Sequence, residues 1–132
     1  MKMKTAFISV VGVLVAHGIL HVINGYERIP QIDVPMHLFG GFSAALIALA
    51  LHQLILNKQK KFVFPVWYHY LFVSGVVLII GVAWEFQEFI LDATVNFWYH
   101  LPKAQPSLAN TMKDLLNDWI GGTIAFFLFR KR

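Results

Sequence analysis

No cysteine occurs among the 132 residues. Disulfides, a thiolate nucleophile, iron–sulfur clusters and cysteine-bound zinc are therefore excluded, and no thiol is available for a lipid anchor. Charge is scarce too. Asp, Glu, Lys and Arg make up 14% of the chain, against about a quarter in a soluble domain. Hydrophobic residues make up 58%, and the mean hydropathy is +0.61. This excludes a large water-soluble catalytic core, and the length allows one domain. The excess of 11 Lys and Arg over 7 Asp and Glu does not point to nucleic acid. The bases gather at the ends of apolar runs, which is a membrane pattern.

A helix of about 20 mostly apolar residues crosses the hydrocarbon core. No formal charge falls within residues 5–26, 34–57 or 62–84, which predicts spans at about 5–23, 35–56 and 67–89. The uncharged stretch 119–129 is too short to cross. A fourth span at about 111–129 must therefore carry Asp114, Asn117 and Asp118 into the membrane. The expected fold is all-α: a four-helix transmembrane bundle forming a single domain over 1–132, with an outer interfacial segment at about 92–110. Lys2 and Lys4, Lys58, Lys60 and Lys61, and Arg130, Lys131 and Arg132 mark one side, against Arg28, Lys103 and Lys113 on the other. The positive-inside rule then places both termini in the cytoplasm and the protein in the cytoplasmic (inner) membrane. Trp67, Tyr68 and Tyr70 suit an inner aromatic belt, and Trp98 and Tyr99 an outer one. A cleavable signal peptide ending near Ala16–Gly18 competes for the first span, but that apolar run is long enough to cross.

The acids and histidines are placed by depth. At about 1.5 Å per residue, His17, His21, Glu85, Glu88, Asp114 and Asp118 all fall in the outer half of a core about 30 Å thick. His37 and Asp33 lie near the outer surface. His17 and His21, and Asp33 and His37, are spaced i, i+4. Glu85, Glu88 and Asp92 follow i, i+3, i+7, and Asp114, Asn117, Asp118 and Gly121 follow i, i+3, i+4, i+7. Each set shares one helix face. Charge facing lipid is costly, so these faces are expected to meet in one outward-facing acidic and histidine pocket. Asp33 also suits a loop or cap position, because Pro35 sits just inside the helix start. Asp92 suits an interfacial position, and His52, His69 and His100 suit structural ones. Gly40 with Ala44, Gly41 with Ala45 and Gly121 with Ala125 are small-residue pairs that let helices approach closely in lipid.

At these residues the chain resembles known small membrane proteins. Residues Asp33 to Gly40 resemble the D-x-x-x-H-F-x-x-G helix start of the VanZ-like and YjdF-like groups. Glu85-Phe86-Gln87-Glu88-Phe89 resembles their W-E-x-x-E helix, and Thr111 to Gly122 their final D-x-x-x-N/D-x-x-G helix. Val34 and Lys103 stand where VanZ tends to have Lys and Arg, so the likeness is closer to the YjdF-like branch. Even there, Asn110 replaces a frequent Asp. The resemblance implies a multi-pass membrane protein with an acidic–histidine outer site. Through VanZ it also implies a cell-envelope effect linked to glycopeptide resistance. The D-x-x-x-D of Asp114 and Asp118 lacks the upstream elements of a CDP-alcohol phosphotransferase.

Three functions compete. The first is a metal-assisted activity on an envelope lipid or lipid-linked headgroup. Glu85, Glu88, Asp114 and Asp118 would be catalytic, and Asp33, His37, Asn117 and Lys113 would contact substrate. His17, His21, Glu85, Glu88, Asp114 and Asp118 would hold a divalent Mg, Mn, Fe or Zn. The second is a non-catalytic envelope-lipid or precursor binder, or an accessory protein. The third, ion or proton transport, ranks last because the inner half of the bundle is apolar. A homo-oligomer remains an open expectation.

Overall fold

The computed structural model describes residues 3–58 and 64–130. Lys2, Lys60, Lys61, Lys131 and Arg132, used above for orientation, lie outside them. The described chain is helical, without a strand among the described residues: α1 Met3–Val22, α2 Gly25–Arg28, α3 Asp33–Lys58, α4 Val66–Leu91, a π-helical turn Asp92–Asn96, α5 Phe97–Tyr99 and α6 Leu108–Phe129. Three segments, Met3–Val22, Asp33–Leu56 and Val66–Tyr99, are long and apolar enough to cross a membrane. The protein is a helical transmembrane bundle. The fourth long helix, α6, carries Lys113, Asp114 and Asp118 in its first half and keeps both acids buried.

α3 is the central helix. It packs on α1, α4 and α6, while α1 rests on α3 and α2 and makes little contact with α4. Half (50%) of the α3 span is buried, against 6% of α1. Ala44, Ala45 and Ala48 of α3 meet Val73 and Val77 of α4 and Ala125 and Phe126 of α6 in the core. Phe7, Ile8, Val15 and Ile19 of α1 stay exposed. Apolar side chains all round a helix suit lipid on the side that protein does not cover.

α3 and α6 are held closest, and glycine is the reason. A Cβ on Gly41 would run into the Asp118 carbonyl, and one on Gly121 into the Leu38 carbonyl. Backbone thus packs on backbone, which only a hydrogen in place of a side chain permits. At the other end of the α4–α6 contact, Tyr70 Oη is 3.0 Å from Thr123 Oγ1, and its ring packs edge-on against Phe126. Tyr70 therefore points into the bundle and does not belong to an aromatic belt. Trp67, in contrast, is exposed.

The predicted interfacial segment divides in two. The π-turn and α5 prolong α4, leaving Phe97, Trp98 and Tyr99 exposed. His100, at φ 54°, ends the helix, and residues 101–107 return as a strap. Ser107 caps α6 by accepting from Asn110 N at 3.2 Å. Asp92 anchors the strap, accepting from Ala104 N and Gln105 N at 2.8 Å each and from Asn96 Nδ2 at 2.6 Å. Asp33 is the first residue of α3 and not part of the preceding loop.

Candidate functional site

Asp118 occupies the crossing of α3, α4 and α6. Its carboxylate sits in a slot made by glycines. A Cβ on Gly81 would lie 2.7 Å from Oδ2, and one on Gly40 would lie 3.5 Å from Oδ1. His37 and Gly40 are one turn apart on α3, and both face this carboxylate. His37 Nδ1 lies 3.4 Å from Asp118 Oδ2, and His37 Nε2 lies 3.4 Å from Asp33 Oδ1. His37 and Asp118 are 6% and 5% exposed. A neutral imidazole has one N–H. In His37 the Nδ1 contact with Asp118 is a hydrogen bond, and the Nε2 contact with Asp33 is at ion-pair distance.

Asp33 continues the chain outward. Lys113 Nζ is 3.4 Å from Asp33 Oδ2 and 3.4 Å from Asp114 Oδ1. Asn110 donates from Nδ2 to Asp114 Oδ2 and accepts from Lys113 through Oδ1 at 3.1 Å. Asp114 is fully buried. Among the described residues, only Asp33, His37 and Asp114 form a set of three potential metal donors, their ligand atoms all lying within 4.8 Å of one another. Lys113 already meets both carboxylates of that set.

A second group lies across α3. His17 Nδ1 is 2.6 Å from Tyr26 Oη. The His17 ring packs edge-on against His21 at 4.5 Å and Trp84 at 4.9 Å. Trp84 donates its indole N–H to Glu88 Oε1 at 2.8 Å. Burial, with the charges of Asp33 and Glu88 next, pushes the Tyr26 phenol well above its ordinary range, so the hydroxyl keeps its proton.

These two groups close one end of a half-open cavity of about 290 Å³ between α1, α3 and α4. His17, Tyr26, Asp33, His37, Glu88 and Asp118 line it, while Phe7, Val10, Val13, Ile47, Val77 and Ile80 form apolar walls. Its position follows from the sparse contact between α1 and α4, which meet through His17 and Trp84.

A family of predicted membrane proteins, DUF2238, matches residues 2–132. The chain belongs to that family. The match supports a membrane family and gives no support to the VanZ branch of the resemblance. No curated protein and no solved structure matches the chain.

In this DUF2238 member the polar residues picked out by depth share one cavity only in part: His17, Asp33, His37, Glu88 and Asp118 line it. Asp33, His37, Asp114, Asp118 and Lys113 do converge. Glu88 and His17 face the same cavity from α4 and α1. Glu85 is turned to the strap, where Gln105 Nε2 donates to its Oε2 at 2.6 Å and its carbonyl at 2.9 Å. His21 packs on His17 and Tyr26 without lining the cavity. Asn117 keeps Nδ2 buried, without a hydrogen-bond partner among the described residues. The six residues expected to hold one metal therefore do not surround one point. Helix spacing alone placed them on common faces, but the helix crossings distribute those faces among different neighbours.

Tyr26, Trp84 and Gln105 were not anticipated. Trp84 carried a usable signal, being i, i+4 to Glu88. Tyr26 and Gln105 reach the site through turns, which leave no periodic trace. Away from the site, His69 Nε2 donates to the Phe64 carbonyl at 3.1 Å, and its Nδ1 meets His52 Nδ1 at 3.2 Å. A neutral His69 then accepts from His52.

Proposed function

We propose that this protein binds a membrane amphiphile, with the polar head at the Asp33–His37–Asp118 end of the cavity and the chain along its apolar walls. The supporting observation is the cavity itself: one space between α1, α3 and α4, with apolar walls and a group of ionisable residues. Its volume, about 290 Å³, is at the small end of ligand sites, which run to about 1,000 Å³. It suits a headgroup and part of one chain. With most of the lysines and arginines on the cytoplasmic side, the ionisable end faces outward from the cytoplasmic membrane, and the occupant is an envelope lipid or lipid-linked precursor.

The test is lipid retention. Protein purified in a mild detergent is expected to carry about one lipid per chain in native mass spectrometry, and Val13→Trp, which fills the cavity wall, to lose most of it. Equal retention by a folded Val13→Trp protein would remove the proposal.

A second reading, metal-assisted chemistry at the same end, draws on the Asp33, His37 and Asp114 set. These hard donors suit Mg, Mn, Fe or Zn, and such an ion would polarise a headgroup oxygen. The fit is poorer, because Lys113 already pairs with both carboxylates and both nitrogens of His37 already meet carboxyl oxygens. Elemental analysis decides. The amphiphile reading expects well under one metal ion per chain, unchanged in Asp114→Asn. One ion per chain in the parent and none in Asp114→Asn would reverse the ranking.

A further inference from the structure

The walls of the cavity have a charge sign. Asp33, Glu88 and Asp118 line it, and among its lining residues there is no lysine or arginine. Lys113 is close by, but it is paired with Asp33 and Asp114 and is not part of the lining. The cationic candidates inside are imidazoles. His37 is held between two of the carboxyls, and His17 is bonded to the Tyr26 hydroxyl.

A phosphate placed here would face carboxylates with no guanidinium or ammonium to receive it. In a site walled by low-dielectric side chains that repulsion is strong. A cation meets the opposite situation. Glu88 uses Oε1 for the Trp84 indole, and among the described residues its Oε2 accepts no hydrogen bond. Asp118, 7% exposed as a side chain, lines the cavity with only Oδ2 engaged by His37. Tyr26 and Trp84 add aromatic rings on either side of His17, surfaces that favour a cation. A primary ammonium carries three donors and suits several separated oxygen acceptors better than a quaternary head, which has none.

We propose that the cavity selects a membrane lipid whose head ends in a primary ammonium over one whose head is only anionic. The inference rests on the amphiphile-binding reading. The lipid source follows from the apolar walls and from the sparse contact between the two membrane helices α1 and α4 that flank the cavity.

The full-length protein in maltoside micelles is titrated with two lipids of equal chain length, lysophosphatidylethanolamine and lysophosphatidylglycerol. They share the phosphate and differ in the ammonium. The ethanolamine lipid is expected to bind about tenfold or more tightly, the size of one charge-assisted hydrogen bond. Dodecylammonium is expected to outbind dodecanol by a similar factor, which isolates the ammonium from the phosphate. Glu88→Gln is expected to bring the lysolipid ratio to within about threefold, and Asp33→Asn to lower it less.

Equal binding of the two lysolipids, or tighter binding of the glycerol lipid, would overturn the ammonium selection while leaving amphiphile binding intact. No binding of any of the four amphiphiles would remove both. The wild-type comparison decides even where a variant fails to fold.

Discussion

Gly41→Ala and Gly121→Ala are expected to destabilise the bundle by about 3 kcal/mol each, the upper end of ordinary overpacking. One methyl group is enough because the obstacle is backbone. The Gly41 position faces the Asp118 carbonyl and the Gly121 position faces the Leu38 carbonyl, so neither clash is relieved by a side-chain rotation. α3 and α6 must separate, and in doing so they open the slot that holds Asp118. Gly12→Ala, Gly18→Ala and Gly75→Ala are the controls. Nothing lies within 4 Å of a Cβ at those positions, and alanine is the better helix former by about 1 kcal/mol. They should leave stability unchanged or raise it. Thermal unfolding in detergent micelles compares the five. If Gly41→Ala unfolds at the same temperature as Gly75→Ala, the close crossing of α3 and α6 is wrong.

His37→Leu should be the most costly change at the site itself. The imidazole links Asp33 to Asp118, and its removal leaves the Asp118 carboxylate buried with no hydrogen-bond partner among the described residues. Losing one partner of a buried charged pair costs about 3–5 kcal/mol. The Asp33 half matters less, since that carboxylate is 28% exposed and keeps Lys113. Pairing His37→Leu with Asp118→Asn should restore part of the loss, because an amide is cheaper to bury than an unpaired carboxylate. A double-mutant cycle is expected to give about 1–3 kcal/mol of coupling. Additive effects would show that the two residues do not act on each other. The same contact bears on the proposed function, since Asp118 lines the cavity and His37 engages only its Oδ2.

The amphiphile proposal and the stability predictions meet at Asp118. Glycines on α3 and α4 make room for its carboxylate, and one edge of that carboxylate is left toward the cavity. Function is therefore expected to respond to changes at Gly40 and Gly81, which line the cavity and shape the Asp118 slot.

Much of this molecule is legible in the sequence. Charge-free runs of span length mark the membrane helices, because lipid tolerates neither unpaired backbone nor frequent charge. The late acids on α6 mark a helix with a buried polar face. Spacing of i, i+4 correctly pairs Asp33 with His37, because that contact lies within one helix. Contacts between helices are different. Glu85 and Glu88 share a face of α4, yet Glu85 receives Gln105 from the strap and Glu88 receives Trp84 from its own helix. Asp114 and Asp118 share a face of α6, yet one meets Asn110 and Lys113 while the other meets His37 beside the cavity. Helical periodicity fixes a face about 100° wide and says nothing about which neighbour fills it. That choice belongs to the tertiary structure. It is made where Gly41 and Gly121 bring two backbones into contact and where α1, in only sparse contact with α4, leaves a cavity.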